Sequence, residues 1–418
     1  MEEDMIFDMG LPLTDLPKTN NCIIKVIGVG GGGGNAVNHM YREGIHDVSY
    51  VVCNTDKKAL DDAAVPNHLQ LGNDGLGAGN RPEKARQAAE ESMDAIREML
   101  NDGTRMVFIT AGMGGGTGTG AAPIIAKCAK EAGILTVGIV TIPFKFEGIK
   151  KINQALDGVE EISKHVDALL VINNERLREI YPELTVINAF AKADDTLTVA
   201  AKSIAEIITM HGIMNLDFED VTTVLKDGGV AIMSTGYGEG ENRVTKALTE
   251  ALTSPLLNHN DIFNSKKVLL NINFCSDDEH SSLMMEEMNE IHEFMGKFRH
   301  DVETKWGLAT DSTLGNKVKI TLLATGFGLQ SINGMSTHLE ERKEKLSAED
   351  KERKENRDEL INIYYQDGKK SAKHRHNNVF IYTAENMDND DIISRVDATP
   401  TCRRSKDELN RLKNENAG

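Results

Sequence analysis

The stretch Arg105–Gly120, RMVFITAGMGGGTGTG, decides the fold of this chain. Met106–Thr110 is a short apolar run typical of a buried strand, a loop follows it, and a helix is predicted from Ala121. Glycine lets backbone approach a ligand closely, and unpaired N–H groups ahead of a helix attract anions. The stretch therefore predicts a phosphate-binding loop. The alternative, a flexible linker, does not usually lie between a buried strand and a helix. Six glycines occupy the predicted loop: Gly112, Gly114, Gly115, Gly116, Gly118 and Gly120.

A second unit of the same kind comes earlier in the chain. The predicted strand Ile23–Val29 runs into a glycine cluster, and Asn35 is predicted to open a helix. Gly28–Gly33 fits G-x-G-x-x-G, and Asp56 follows the next predicted strand, so an NAD-dependent oxidoreductase is one possible interpretation. The chain has no G-x-x-x-x-G-K-[ST] motif and is therefore not a P-loop enzyme. Two glycine loops at one sheet edge favour a nucleoside triphosphate over a dinucleotide.

Composition excludes several classes of function. The chain has 418 residues and a formal net charge of −18, which argues against a basic nucleic-acid-binding face. Five scattered cysteines without a C-x-x-C pair predict a reducing compartment and no protein metal site. The acidic N-terminus lacks the basic region of a signal peptide, and no apolar run reaches the length of a membrane span. We expect a cytoplasmic protein without direct membrane insertion.

The pattern of elements predicts an α/β fold in two parts. Strands and helices alternate through residues 22–185, which indicates a parallel, Rossmann-like nucleotide-binding sheet covered on both faces. One predicted helix spans Pro82–Leu100. Apolar residues at helical spacing predict a long central helix over 186–212, closed by Gly212 as its C′ residue. Residues 213–330 are predicted to form a smaller α+β domain with a mixed sheet.

The two termini differ from the rest of the chain. Residues 1–21 are predicted to be a disordered arm, and residues 331–391 a charged flexible linker, since Glu340–Glu359 is almost wholly charged. Residues 392–418 combine apolar and basic side chains at the end of that linker, which is typical of a docking peptide. A frayed terminus is the alternative.

The motifs resemble those of a known family. Gly114–Gly120 is similar to the signature of the tubulin superfamily, and with Ile27–Val37 it resembles the FtsZ family of bacterial cell-division GTPases. The resemblance covers about residues 22–330 in one collinear order. It implies GTP/GDP binding, GTP hydrolysis, head-to-tail homopolymers at the division site, and membrane adaptors bound by the tail. Three further motifs carry it: GLGAG at Gly75–Gly79, FEG at Phe146–Gly148 and NLDFED at Asn215–Asp220.

The resemblance also implies which residues bind the nucleotide. Glu147 matches the family's ribose contact, Asn174 and Asp194 match its guanine-reading positions, and Phe190 is placed to stack on the base. By their local pattern alone, Asn174 would be a turn residue and Phe190 a core residue. Lys151 replaces a common arginine and loses bidentate phosphate geometry. The implied phosphate and nucleoside contacts are Gly32, Gly33, Gly34, Asn35, Ala36, Gly116, Thr117, Gly118 and Thr119.

Two acids carry the predicted chemistry. Asp217 and Asp220 share one face at the start of a helix, where their plain role would be capping. The resemblance implies that they complete the site of the next subunit and orient or deprotonate the attacking water. It further implies that Asn215 contacts the γ-phosphate and that Mg²⁺ neutralises the phosphate oxygens. A non-enzymatic scaffold that binds GTP and polymerises is the remaining alternative, and the intact Asp217 and Asp220 argue against it.

Overall fold

The computed structural model describes most of the chain up to residue 342 and one later segment. The chain divides into a compact unit that ends at His338 and a second unit that begins at Leu339. The predicted N-terminal arm lies outside the described residues, as do most of the predicted linker and most of the predicted docking peptide. The described residues are 22–45, 47–210, 212–253, 262–276, 282–332, 334–340, 342 and 390–398.

Strands and helices alternate through the first half, as the sequence pattern predicts. The strands are β1 (Ile24–Val29), β2 (Val48–Asn54), β3 (His68–Gln70), β4 (Met106–Gly112), β5 (Leu135–Ile142), β6 (Ala168–Asn173), β7 (Gly212–Met214), β8 (Gly229–Glu239), β9 (Lys267–Phe274), β10 (Glu303–Thr310) and β11 (Lys317–Phe327). The helices are α1 (Gly30–Glu43), α2 (Lys57–Asp61), α3 (Pro82–Glu91), α4 (Met93–Leu100), α5 (Thr117–Glu131), α6 (Ile149–Ser163), α7 (Asn174–Ile180), α8 (Val186–Thr209), α9 (Phe218–Leu225), α10 (Arg243–Leu252), α11 (Glu287–Met295) and α12 (Asp390–Ala398).

The first six strands form a parallel sheet in the order β3-β2-β1-β4-β5-β6. This is the strand order of doubly wound dinucleotide folds, so the predicted Rossmann-like sheet is confirmed. Strands β1 and β5 are buried along their whole length. Burial on both faces explains why their sequences are continuous apolar runs rather than alternating ones.

The later strands extend the same sheet instead of forming a separate one. Strand β8 pairs in parallel with β6 over three residues, and the order continues β8-β11-β9-β10-β7. The β8–β11, β11–β9 and β10–β7 pairs are antiparallel and the β9–β10 pair is parallel, which confirms the predicted mixed character. The result is one eleven-stranded sheet in which both halves share backbone hydrogen bonds.

Helix α8 is the long central helix, and its apolar face packs into the main core. Leu197 and Ile204 belong to one hydrophobic cluster with Phe108 of β4 and Leu269 of β9, so the helix joins the two halves of the sheet. The predicted C′ role of Gly212 is wrong. The helix ends at Thr209, and Gly212 lies in β7, where a Cβ atom would be 2.2 Å from the Leu308 carbonyl oxygen. Glycine is needed there for close strand pairing.

Three predicted helix boundaries require correction. Helix α1 begins at Gly30 and not at Asn35, and α5 begins at Thr117 and not at Ala121. Glycine is a poor helix former, but packing against neighbouring backbone overrides its propensity in these first turns. The helix predicted over residues 82–100 is two helices, α3 and α4, which meet at Ser92.

Beyond residue 342, the described segment of the second unit is helix α12. Its Ile392 and Val396 are four residues apart on one face, and both are buried. Across the described residues, no helix combines the length and apolarity that a membrane span requires.

Candidate functional site

Two helices begin side by side at the carboxyl edge of the parallel sheet. Strands β1 and β4 are neighbours in register, with Val29 opposite Ala111, so the helices that follow them start at the same place. A Cβ atom on Gly30 would lie 2.9 Å from the Gly118 nitrogen, and one on Gly32 would lie 3.3 Å from the Gly112 Cα. The two glycine segments are therefore in direct backbone contact.

Neither of these helix N-termini carries a cap. Val29 and Gly116 occupy the N-cap positions of α1 and α5, no side chain accepts from the first N–H groups, and neither first turn contains an acidic residue. The first N–H groups of a helix have no intrahelical partner, and the helix dipole makes this end positive. Two such ends side by side form a candidate anion site.

The predicted contacts Gly32–Ala36 divide into two groups. Gly32 and Asn35 are exposed, whereas Gly33, Gly34 and Ala36 are buried. A Cβ atom on Gly33 would lie 2.2 Å from the Thr110 carbonyl oxygen, so Gly33 allows α1 to pack on β4. The side chain of Ala36 belongs to the hydrophobic core. Gly32 and Asn35 are thus the members of this set that face outward.

The loop before α5 is held by side chains around it. Thr119 Oγ1 accepts a hydrogen bond of 2.9 Å from the Gly114 nitrogen, and Thr117 Oγ1 lies 2.8 Å from Thr55 Oγ1. Gln154 Nε2 donates to the carbonyl oxygens of Gly114 (3.1 Å) and Gly115 (2.9 Å). Sequence reasoning missed Thr55 and Gln154. Thr55 follows a parallel strand at the same edge, which was a usable signal, whereas nothing in the sequence marks Gln154.

Glu147 and Lys151 form an ion pair beside the glycine loop that precedes α5. Glu147 Oε2 is 2.5 Å from Lys151 Nζ, and its Oε1 accepts from the Phe144 nitrogen at 2.9 Å. A Cβ atom on Gly114 would lie 2.7 Å from the Lys151 carbonyl oxygen, which places the start of α6 against the loop. The carboxylate and the ammonium group are therefore both at the edge where the glycine segments meet.

Two polar side chains lie beyond the end of β6: Asn174 opens α7, and Asp194 lies in the third turn of α8. Asn174 is buried, and its Oδ1 has no hydrogen-bond partner among the described residues, whereas Asn173 caps α7. Burial raises the pKa of Asp194 to about 6, and the nearby His39 offsets part of this effect. A buried amide oxygen without a donor and a desolvated carboxylate both gain from a ligand that brings N–H groups.

Three aromatic rings form a cluster on the neighbouring segments. Phe190 is 40% exposed, with its ring centroid 5.2 Å from Phe144 and 6.4 Å from Phe146, and Phe146 is 60% exposed. Phe190 is thus a surface residue and not the core residue that its spacing alone suggested. Sequence reasoning missed the two other rings, although Phe146 lies within the FEG motif.

The acidic residues of the second half lie at the N-terminus of α9. The Asp220 nitrogen donates to Asp217 Oδ1 at 2.8 Å, and the Asp217 nitrogen donates to Asp220 Oδ2 at 3.2 Å. Lys305 Nζ lies 2.9 Å from Asp220 Oδ1, and this contact holds the pKa of Asp220 below its ordinary value. Asn215 Oδ1 accepts from the Gly212 nitrogen at 2.6 Å. The reciprocal caps orient both carboxyl groups.

The two groups of predicted residues are far apart within one chain. Arg105, immediately before β4, contacts the first turn of α9: its Nη2 lies 3.0 Å from Glu219 Oε1, and its guanidinium group is 4.5 Å from the Phe218 ring centroid. The glycine loop instead follows Gly112, the last residue of β4. Seven residues of strand span about 20 Å. The structure therefore does not bring Asn215, Asp217 and Asp220 to the glycine edge of their own chain.

The structure argues against Asp56 as the ribose-binding acid that the dinucleotide interpretation requires. Asp56 accepts hydrogen bonds from the Lys58 and Ala59 nitrogens and caps helix α2. The side chain thus stabilises the helix end after β2. A carboxylate engaged in this way is less suited to bind a ribose hydroxyl.

Comparisons with known proteins agree with this geometry. Residues 23–182 match the Tubulin/FtsZ family GTPase domain, residues 229–328 match the FtsZ family C-terminal domain, and residues 374–418 match the FtsZ C-terminal model. The chain is 52% identical to the cell division protein FtsZ of Porphyromonas gingivalis, over 99% of this chain and 91% of that protein. It is 44% identical to the FtsZ of Coxiella burnetii, over 76% of this chain and 82% of that protein.

A solved structure shows the same fold. The empty FtsZ dimer of M. jannaschii superposes with a TM-score of 0.66 at 38% identity, over 72% of this chain and 88% of that chain. The residues that match the GTPase domain include β1, β4 and the two glycine segments that follow these strands. Those glycine segments form the candidate anion site. The chain therefore belongs to the FtsZ family of cell-division GTPases, within the tubulin superfamily, and it binds and hydrolyses GTP.

Proposed function

We propose that this chain cleaves GTP between successive subunits of a head-to-tail filament. One subunit binds the triphosphate at its glycine edge, and the next subunit supplies Asp217 and Asp220. The observation that carries this proposal is the separation of the two half-sites along β4, since Arg105 holds α9 at one end and the glycine loop follows the other. A single chain cannot close that gap, but a neighbour stacked on it can.

Each part of the nucleotide has a matching set of groups. The triphosphate accepts hydrogen bonds from the first turns of α1 and α5, with Gly32, Asn35 and the predicted loop residues Gly116, Thr117, Gly118 and Thr119. Lys151 supplies a positive charge, and Glu147 accepts from a ribose hydroxyl. Asn174 Oδ1 and Asp194 accept from the guanine N–H groups, because the first is a buried acceptor without a donor and the second is a half-buried, desolvated carboxylate. Phe190 stacks on the base.

The carboxylates of α9 have different roles in the proposed reaction. Asp217 Oδ1 is bound by the Asp220 nitrogen, which leaves Oδ2 to accept a hydrogen bond or a proton from the attacking water. Asp220 stays ionised beside Lys305 and helps to orient the same water. Asn215 contacts the γ-phosphate. The fixed N-terminal turn of α9 positions all three side chains as a unit.

Mg²⁺ fits this site through the nucleotide itself. The described residues contain no group of three or more His, Cys, Asp or Glu side chains arranged to hold a metal ion. Mg²⁺ commonly binds substrate phosphates with only one or two protein carboxylates. When bound, the ion neutralises charge on the β- and γ-phosphate oxygens.

Exposed apolar side chains next to both half-sites support filament assembly. Leu76 is 83% exposed and Ile187 is 81% exposed on segments around the glycine edge, and Ile213 is 67% exposed two residues before Asn215. Large exposed apolar side chains that gather on one surface mark protein interfaces. The M. jannaschii relative at 38% identity is a dimer, which also supports self-association.

The tail is proposed to connect the filament to the membrane. Residues 374–418 match an FtsZ C-terminal model, and they contain the predicted docking peptide 392–418. We propose that this peptide binds membrane adaptors of the division ring, so that the protein acts in the cytoplasm at the division site.

Phosphate release as a function of protein concentration tests the proposal. With GTP and Mg²⁺ present, we expect turnover per subunit to rise cooperatively above a threshold concentration, because each site needs a neighbour. Turnover strictly proportional to protein concentration down to isolated monomers would contradict the shared site.

A further inference from the structure

One of the side chains that hold the loop before α5 is marked by no sequence motif. Gln154 lies on the second turn of α6, is half-buried, and donates from Nε2 to two successive carbonyl oxygens, those of Gly114 and Gly115. Both partners are acceptors, so the amide nitrogen and not the amide oxygen must face the loop. A single amide group therefore engages two consecutive peptide units.

These two hydrogen bonds determine where the next N–H groups point. The described peptide bonds are all trans, and in a trans peptide the carbonyl oxygen of one residue and the N–H of the next point in opposite directions. Drawing the Gly114 and Gly115 carbonyls toward α6 turns the N–H groups of Gly115 and Gly116 away from it. Neither N–H donates a hydrogen bond within the described part of the chain.

The loop needs such an external constraint because its own residues provide little. Gly114 has a φ of 92°, and Gly115 has no heavy atom within 4 Å of the position that its Cβ would occupy. Glycine peptides rotate freely between many conformations, so an unsupported loop would sample orientations in which these carbonyls face the ligand. A carbonyl turned toward a phosphate repels it.

We infer that Gln154 is a positioning residue that holds the N–H groups of Gly115 and Gly116 toward the β- and γ-phosphates. The inference rests on the proposed phosphate site and adds to it a residue that does not contact the nucleotide. Gln154 acts through the loop backbone, so its effect should follow the phosphates of the ligand and not the base.

The test compares variants of Gln154 with matched variants of the exposed neighbouring amide Asn153. Gln154→Met removes both donors at similar size, and Gln154→Glu replaces them with acceptors. Affinities for GTP, GDP and guanosine are measured by calorimetry on the full chain with Mg²⁺, together with the thermal midpoint of each variant. We expect both Gln154 variants to bind GTP and GDP about tenfold more weakly, with unchanged guanosine binding. Asn153→Met and Asn153→Glu should bind all three like the parent chain.

Three outcomes would overturn the inference. One is unchanged GTP affinity in both Gln154 variants, and another is an equal loss for guanosine, which would indicate general damage to the pocket. The third is a loss of the same size in the Asn153 variants. If the parent chain itself failed to bind GTP, the proposed phosphate site would be contradicted. If the parent chain binds GTP and the Gln154 variants bind it equally well, only the inference about Gln154 is contradicted.

Discussion

Helices α1 and α5 begin in the opposite way to helix α9. Helix α1 starts with glycine and α5 directly follows Gly116; neither has a side-chain cap or an acid in its first turn. Helix α9 starts with Asp217 and Asp220, which cap each other's backbone N–H groups, and Glu219 lies between them. The positive N-terminal ends of α1 and α5, at one end of β4, therefore face no side-chain anion. The N-terminal end of α9, at the other end of β4, is already neutralised by carboxylates.

The difference indicates what each end is for. An uncapped helix N-terminus loses about 1 kcal/mol of stability relative to a capped one, so two adjacent uncapped ends are a cost that a bound anion offsets. A capped end offers an anion fewer free N–H groups and a smaller net positive charge. It instead holds carboxylates in fixed positions, which is what a water-activating group requires.

The largest expected effect comes from Asp217→Asn. Asparagine caps helices as well as aspartate does, so the thermal midpoint should change little. Loss of the carboxylate should lower GTP turnover at least about a hundredfold while GTP affinity stays near that of the parent chain. Phosphate release and equilibrium binding measure the two quantities.

The same variant separates capping from catalysis. If Asp217 served only as a cap, Asp217→Asn would turn over GTP at the normal rate, whereas Asp217→Ala would be less stable. Equal losses of binding and turnover in Asp217→Asn would contradict the idea that this residue acts in the neighbour's site.

A second, intermediate effect concerns Asp194. Its pKa is raised to about 6, and guanine N–H groups favour the ionised form, so GTP affinity should fall about tenfold per pH unit below 6. Asp194→Asn should bind GTP more weakly at pH 7 but lack this pH dependence. The nucleotide's own titration is common to both proteins, so the difference between their affinity profiles isolates Asp194.

The stability of the nucleotide-free chain should change in the opposite direction. A raised carboxyl pKa means that the folded chain holds a proton that the unfolded chain has lost, so the contribution of Asp194 to stability falls as pH rises from about 4 to 6. Asp194→Asn removes this penalty. Its thermal midpoint at pH 7 should equal or exceed that of the parent chain, and a clear decrease would contradict the role assigned to burial.

The smallest expected effect is a gain of affinity in Lys151→Arg. A guanidinium group can offer two parallel N–H donors to a phosphate, where an ammonium group is a point charge. We expect GTP to bind about threefold more tightly, as measured by calorimetry. Lys150→Arg, on the exposed neighbouring lysine, is the matched control and should leave the affinity unchanged. Equal gains in both variants would mean that only general charge matters.

Strand patterns predicted the fold well because most of the sheet is buried. The apolar runs of β1, β4 and β5 have one physical explanation, burial between two helix layers, and the sequence carries that signal locally. Helix starts were mislocated at Gly30 and Thr117 because their stability comes from tertiary contacts. Gly118, for example, would place a Cβ 2.6 Å from the Gly112 carbonyl oxygen, and no local propensity encodes that contact.

Site residues that belong to a sequence motif could be predicted. Site residues that act through contacts with distant parts of the chain could not. The glycine clusters and the NLDFED segment can be recognised from the sequence alone. Gln154, Lys305 and Arg105 act through contacts between elements far apart in the chain, and each belongs to a common residue type at an unremarkable position. The distance between the two half-sites could be read only from the pairing of β4 and the Arg105 contacts with α9.

The most direct test of the shared site mixes two inactive variants. Gly31→Asp places a carboxylate in the first turn of α1, where a Cβ has open space, so the chain should fold but exclude the triphosphate. Asp217→Asn keeps the pocket and lacks the acid. We expect an equal mixture to release phosphate well above the sum of the two separate rates, because one variant binds GTP and the other supplies Asp217. A mixture no more active than that sum would contradict it.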